Sequence, residues 1–180
     1  MIEALSPYVA RGVAIVGLEP SCLFTLRDEF LAMLPGQASE ALAGRAMLLE
    51  EFLAAEHAAG RLAALKLKAL PAARALVHGH CHQKAFGAMG AVETALRLVP
   101  GLKVETIASS CCGMAGAFGY EAAHYDVSMK MAELSLLPAI RAAGDDVLLV
   151  ADGTSCRHQI RDGAEREAIH VARVLEQALA

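Results

Sequence analysis

Short apolar runs alternate along this chain with longer segments in which apolar residues recur every three or four positions. Short apolar runs are typical of strands buried on both faces, and the wider spacing is typical of amphipathic helices. The runs that predict strands lie at residues 13–18, 75–78, 102–108 and 146–151. We therefore expect a buried sheet rather than a helical bundle.

The segments with helical spacing lie between and after these runs. They are residues 22–34, 47–58, 83–98, 121–143, 155–161 and 168–179. Ser21 is expected to cap the first helix, and Pro138 is expected to kink the helix predicted at 121–143. Residues 63–71 fit either a short helix or a connection. Strands separated by helices predict an α/β fold, with a parallel sheet flanked by helices.

Each cysteine of the chain follows one of the predicted strands. Cys22 follows the first and Cys81 the second, Cys111 and Cys112 follow the third, and Cys156 follows the fourth. In a parallel sheet the carboxyl ends of the strands share one edge, where functional groups collect. We therefore expect the thiols to meet at one rim of the sheet.

Composition limits the classes of protein to consider. The chain has 180 residues, of which 56% are hydrophobic and 20% charged, as in a globular domain with one core. The formal net charge of −4 and the lack of a Lys/Arg run argue against nucleic-acid binding. With no apolar stretch of about 20 residues and no signal-peptide pattern, we expect a cytoplasmic protein without a transmembrane segment.

Five cysteines, two of them adjacent, fit a disulfide framework poorly. Thiolates are soft ligands that select iron–sulfur clusters, zinc or copper(I). Vicinal Cys111 and Cys112 could contact two irons of one cluster more easily than they could chelate one small ion. Gly113 would let the backbone approach the metal closely. The alternative is that these cysteines are small core residues.

Histidines surround Cys81. His80 and His82 flank it and could bind a metal directly or could support the site through hydrogen bonds. Alternation along an extended segment would place both histidines, together with His78, on the side opposite Cys81, which favours the hydrogen-bonding role. His158, close to Cys156 in sequence, leaves the same two choices open.

Two parts of the chain repeat one pattern. A Ser-Cys pair with Arg-Asp five residues after the cysteine occurs at residues 21–28 and again at 155–162. We interpret residues 1–70 as the end of a first unit and residues 71–180 as a complete second unit, packed together as one globular body. Covering an exposed apolar face would then favour a homodimer.

Four segments resemble the cysteine-rich CCG domain family. They are residues 17–22, 80–85, 110–116 and 155–160. The family includes one component of the heterodisulfide reductases and the iron–sulfur subunits of glycolate, lactate and anaerobic glycerol-3-phosphate dehydrogenases. The likeness covers nearly the whole chain and is closest to the C-terminal region of FAD-linked D-2-hydroxy-acid dehydrogenases.

This resemblance implies which residues form the site. By position, the ligand cysteines would be Cys81, Cys111, Cys112 and Cys156, with Cys22 as a further candidate. Gly113 and Gly116 would lie against the cofactor. Gln159 stands where the family has the second cysteine of Cys-x-x-Cys. A 4Fe–4S cluster is therefore implied rather than the five-cysteine cluster of heterodisulfide reductases, and zinc remains open.

The resemblance also implies a function. The domain would relay electrons from a flavin-containing dehydrogenase domain or subunit, where FAD oxidises a 2-hydroxy acid or a glycerol-3-phosphate type of substrate. Attachment to the inner membrane would then be peripheral, through partners. One alternative is a structural zinc module that moves no electrons. Another is a thiol–disulfide enzyme that uses Cys111 and Cys112.

Overall fold

Parallel strands form two separate sheets in the computed structural model, which describes all residues from Met1 to Ala180. The smaller sheet pairs β1 (Ile15–Gly17) with β2 (Ala46–Leu48). In the larger sheet, β3 (Arg74–His78) is the central strand, between β4 (Lys103–Thr106) and β5 (Val147–Ala151).

Helices flank both sheets. In chain order they are α1 (Ile2–Ala10), α2 (Pro20–Arg27), α3 (Glu29–Met33), α4 (Gln37–Ala43), α5 (Leu49–Ala58), α6 (Cys81–Ala85), α7 (Met89–Arg97), α8 (Tyr125–Glu133), α9 (Leu136–Ala142), α10 (Thr154–Ala164) and α11 (Val171–Gln177). Two 3₁₀ turns, Phe118–Tyr120 and Ala122–His124, precede α8. None of the helices is both long enough and apolar enough to cross a membrane.

The predicted α/β class with parallel strands is confirmed, and several local predictions need correction. The first predicted strand pairs with β2, which the pattern did not reveal, in a sheet of its own. α1 and α4 were not predicted. Glu19, not Ser21, is the N-cap of α2, because Pro20 opens that helix. Proline is suited to the first turn of a helix, because the N–H that it lacks would have no hydrogen-bond partner within the helix there.

The long helix predicted at 121–143 is wrong. The chain forms α8 and α9 there, with a break at Leu134 and Ser135. Pro138 lies in the first turn of α9 and kinks nothing, since the first N–H groups of a helix are unpaired anyway. The helix predicted at 83–98 is likewise divided into α6 and α7 by a turn at Gly87, whose φ is +69°.

Hydrophobic cores cover both faces of the larger sheet. Ala75 and Val77 on β3 pack with Leu96 of α7, while Leu149 of β5 packs on the other face with Ile160 of α10. A third cluster surrounds Phe24 and holds the smaller sheet. Burying each such side chain contributes about 1.5–3 kcal/mol, so the sheet is a rigid base for the loops at its edge.

The two sheets approach each other at the carboxyl ends of their strands. Glu19, just after β1, accepts hydrogen bonds from the backbone N–H and the hydroxyl of Thr154, at the start of α10. The carbonyl oxygen of Leu18 lies 2.8 Å from Nε2 of His170. One sheet lies in residues 1–70 and the other in residues 71–180, and the division into two units stays a prediction.

Candidate metal centre

Three strand ends bring four cysteines to one edge of the larger sheet. Cys81 is the first residue of α6, and two residues separate it from the end of β3. Cys111 and Cys112 lie in the loop after β4, and Cys156 lies in the first turn of α10, after β5. The first turns of α6 and α10 thus present Cys81 and Cys156 where helix N–H groups are unpaired, whereas Cys111 and Cys112 lie in a loop.

The four thiols form a continuous chain of contacts. Cys111 is hydrogen-bonded to both Cys81 and Cys112 through its side chain. Sγ of Cys112 lies 3.4 Å from Sγ of Cys156, and none of these cysteines forms a disulfide. Cys112 and Cys156 are buried, whereas Cys81 and Cys111 are half-buried. The cluster therefore has an enclosed side and an open side.

A cavity of about 350 Å³ lies at the open side. Its lining includes three of these cysteines, together with polar and small residues from the neighbouring loops. The residues that line it are Ser21, His80, Cys81, His82, Cys111, Cys112, Ala115, Gly116 and Ser155. Solvent or a partner protein can therefore approach the thiols from one direction.

Contacts among the four thiols lower the pKa of two of them and raise the pKa of the other two. The pKa of Cys111 is strongly lowered, first by its hydrogen bonds to Cys112 and Cys81, and that of Cys156 is lowered to about 5, chiefly by Cys112. The pKa values of Cys81 and Cys112 are raised, chiefly by their hydrogen bonds to Cys111. Thiolates are the metal-binding form of cysteine, so two of the four are already suited to bind.

Backbone N–H groups of the loop after Cys112 point at sulfur. The N–H of Gly113 donates to Sγ of Cys111 over 3.2 Å, and the N–H of Ala115 also bonds that thiol. Three residues of this loop have positive φ angles, +93° at Gly113, +41° at Ala115 and +67° at Gly116. A Cβ on Gly113 would collide with the carbonyl oxygen of Ser128 on α8. Gly116 lines the cavity.

His80 has both ring nitrogens engaged. Nδ1 accepts the backbone N–H of His82, so the proton resides on Nε2, which lies 3.2 Å from the hydroxyl of Ser21. Burial lowers the pKa of His80 and keeps the ring neutral. These contacts favour the hydrogen-bonding role for His80. His82 lines the cavity with an unpartnered, buried Nδ1, and its role as a ligand stays a prediction.

Three further residues of the predicted site lie apart from the cavity lining. Cys22 is exposed on α2, where its neighbour Ser21 faces the cavity instead. His158 pairs through Nδ1 with the hydroxyl of Tyr120. Gln159 is buried and donates to the carbonyl oxygen of Ser128. Whether Cys22 takes part in metal binding stays a prediction.

His78 is a residue that the sequence analysis placed opposite Cys81 and did not count among the candidate ligands. It ends β3 with only 1% of its surface exposed, and one of its ring nitrogens, Sγ of Cys112 and Sγ of Cys156 lie within 4.8 Å of one another. Its Nδ1 lies 2.8 Å from the hydroxyl of Ser109. The strict alternation expected from residue 78 to 82 fails because the strand ends at His78 and a helix begins at Cys81.

A second buried group of polar side chains consists of Glu50, Asp152 and His170. Both carboxylate oxygens of Glu50 lack a hydrogen-bond partner, and burial, followed by repulsion from Asp152, raises the pKa of Glu50 to about 8. Nδ1 of His170 accepts the N–H of Ala172, so Nε2 carries the proton and donates to Leu18. With Nδ1 accepting and Nε2 donating, the His170 ring offers no free lone pair to a metal.

The fold and the site together define an α/β domain with a partly open, four-thiol centre at the edge of a parallel sheet. Its sequence is 30% identical over 170 residues to one of the subunits of anaerobic glycerol-3-phosphate dehydrogenase from Escherichia coli (strain K12). That match takes in 94% of this chain and 41% of the relative, so the chain spans about two-fifths of that protein's length.

Other similar proteins are dehydrogenases as well. D-2-hydroxyglutarate dehydrogenase from Escherichia coli (strain K12) is 29% identical over 160 residues, which are 88% of this chain and 15% of that protein. The Pseudomonas putida (strain KT2440) protein of the same name is 29% identical over 172 residues, or 92% of this chain and 15% of its own. No family model and no solved structure matches the chain.

Proposed function

We propose that this chain is the iron–sulfur part of a flavin-linked dehydrogenase, with a cluster held by Cys81, Cys111, Cys112 and Cys156. The observation that carries the proposal is the meeting of four thiols from three strand ends, three of which line one partly open cavity. A merely structural set of core cysteines would not need to face a cavity or to collect backbone N–H donors.

The donor set fits an iron–sulfur cluster. All four side chains are soft sulfur donors, and the loop from Gly113 to Gly116 aims N–H groups at them. When bound, such a cluster supplies one-electron chemistry. The chain's own residues would hold it, keep water from the side of Cys112 and Cys156, and raise its reduction potential through hydrogen bonds to sulfur.

The proposed partner is a flavin-containing dehydrogenase domain or subunit. The relatives are dehydrogenases, two of which extend far beyond the region that matches this chain. Hydride chemistry on the substrate would belong to the flavin, and the half-buried side of the centre, at Cys81 and Cys111, would face the electron donor or acceptor. The substrate would be a 2-hydroxy acid or glycerol 3-phosphate.

Anaerobic reconstitution with ferrous iron and sulfide tests the proposal. We expect visible charge-transfer absorption that dithionite bleaches, together with an EPR signal from the reduced protein. Cys112→Ser should lose most of the bound iron and sulfide, because the serine oxygen is a harder donor. The matched control, Cys22→Ser, alters an exposed thiol outside the cavity lining and should retain them. A colourless wild-type protein after reconstitution would contradict the proposal.

A structural zinc centre is the second candidate, because His78 lies with Cys112 and Cys156 in a mixed nitrogen and sulfur set of the kind that zinc accepts. Metal analysis of protein purified without added metal distinguishes the two. Stoichiometric zinc that iron and sulfide do not displace would favour this candidate. Iron together with acid-labile sulfide would favour the electron-transfer function.

A further inference from the structure

We propose that His78 is an additional donor to the metal centre, binding through Nε2 beside Cys112 and Cys156. This inference rests on the proposed function, since it concerns the same centre, and it adds a nitrogen donor to the four thiols. Its support comes from the position, burial and hydrogen bonds of His78 and of two other histidines.

The first support is an unsatisfied polar atom. The His78 side chain is buried, no nitrogen or oxygen atom partners its Nε2, and its ring interacts with the thiol of Cys156. A buried polar group left without a partner costs about 1–3 kcal/mol. A ring nitrogen of His78, Sγ of Cys112 and Sγ of Cys156 all lie within 4.8 Å of one another, and we assign that nitrogen to Nε2 because Nδ1 faces the hydroxyl of Ser109. The unpaired nitrogen is thus directed toward the enclosed side of the centre, where a metal would satisfy it.

The second support is the orientation of the ring. Nδ1 of His78 lies 2.8 Å from the hydroxyl of Ser109, which can accept a hydrogen bond from it. A histidine that binds a metal through one nitrogen usually donates the other N–H to an oxygen. With the proton on Nδ1, Nε2 of His78 keeps the lone pair that a metal requires.

Two neighbouring histidines show the opposite arrangement. Nδ1 of His80 accepts the N–H of His82, and Nδ1 of His170 accepts the N–H of Ala172. A backbone donor fixes the proton of each ring on Nε2, which then points at Ser21 or at Leu18. His78 has a hydroxyl instead of a backbone N–H at Nδ1, so its tautomer is free to suit a metal.

A neutral nitrogen donor would change the properties of the centre. A neutral imidazole beside the four thiolates would add a donor atom without adding negative charge to the ligand set. In a zinc-loaded centre it would give a mixed sulfur and nitrogen set.

Pulsed EPR on protein with ¹⁵N-labelled histidine tests this proposal directly. The probe is wild-type protein reconstituted with iron and sulfide and reduced by dithionite. We expect strong hyperfine coupling to a histidine nitrogen. His78→Ala should lose the coupling, and His57→Ala, which alters an exposed histidine on α5, should keep it. If His78→Ala does not fold, Ser109→Ala serves instead, because it removes the hydroxyl that faces Nδ1 and should change the coupling.

The outcomes separate the two proposals. A cluster without histidine coupling overturns the role of His78 and leaves the proposed function standing. Coupling that survives in His78→Ala but disappears in His82→Ala assigns the nitrogen to His82 and also overturns it. Protein that takes up neither iron nor zinc overturns both proposals together.

Discussion

Gly113 occupies a position that only glycine suits. Its φ of +93° lies in the left-handed region, and a Cβ there would collide with the backbone of Ser128. The sequence predicted close approach at Gly113 from the motif. It did not predict that His78 lies beside Cys112 and Cys156. The direction of a side chain at the end of a strand depends on where the strand ends, and the pattern of apolar residues does not determine that position.

Gly113→Ala should destabilise the protein and weaken metal binding, since the loop must move away from α8 and takes its N–H away from Cys111. We expect a loss of roughly 2–4 kcal/mol in the free energy of unfolding, from backbone strain plus overpacking. Gly87→Ala is the matched control, with φ of +69° and open space around its Cα, and should cost only about 1 kcal/mol. Chemical denaturation of both variants measures the difference, and equal losses would contradict this account.

At the scale of elements, the shortest pieces and the breaks were the hardest to predict. β2 has three residues and runs directly into α5, so its apolar residues also fit the helical spacing of α5. The break between α8 and α9 falls at Leu134 and Ser135, so neither of the helix-breaking residues, proline and glycine, marks it in the sequence. Tertiary packing overrides the local pattern there, whereas β3 and β5, buried on both faces, were predicted well.

Glu51 joins two elements of the N-terminal part. It accepts the N–H of Leu48 at the start of α5, and both its carboxylate oxygens accept from Nη1 of Arg27 at the end of α2. Glu51→Ala should therefore cost about 1–2 kcal/mol in the free energy of unfolding, chiefly through the lost helix cap. Glu56→Ala alters the same helix at an exposed pair with Arg61 and should change stability little. Urea titration would refute the capping role if the two variants behaved alike.

At the scale of the whole molecule, the α/β class could be predicted because strand and helix patterns alternate along the chain. The division into two sheets could not be, since it depends on the pairing of β1 with β2. The group of Glu50, Asp152 and His170 lies where the two parts meet, and sequence gives no sign of a buried carboxyl on an ordinary amphipathic helix. The predicted homodimer stays a prediction.

Glu50 should make the stability of the whole fold depend on pH. Its pKa is about 8 in the folded protein against an ordinary value of 4.5, so between these values the folded protein holds a proton that the unfolded chain has released. The free energy of unfolding should therefore fall as pH rises from about 4.5 to 8, by roughly 5 kcal/mol at most. In Glu50→Gln the side chain stays uncharged, so its free energy of unfolding should not show this decrease with pH. The variant should therefore be more stable than wild type at pH 8.

Denaturation of wild type, Glu50→Gln and the exposed control Glu40→Gln across that pH range checks the assignment. Glu40→Gln should follow the wild-type curve. A Glu50→Gln variant whose stability declines with pH as steeply as that of wild type would show that Glu50 does not hold the proton.

The central claim concerns one place in the molecule, so it is tested most directly by locating the metal. Crystals of anaerobically reconstituted protein, measured on both sides of the iron absorption edge, would give an anomalous difference map. The account predicts a strong iron peak between the sulfur atoms of Cys81, Cys111, Cys112 and Cys156. Iron elsewhere, at Cys22 or beside Glu50, or fully loaded protein with no peak among these four sulfurs, would contradict it.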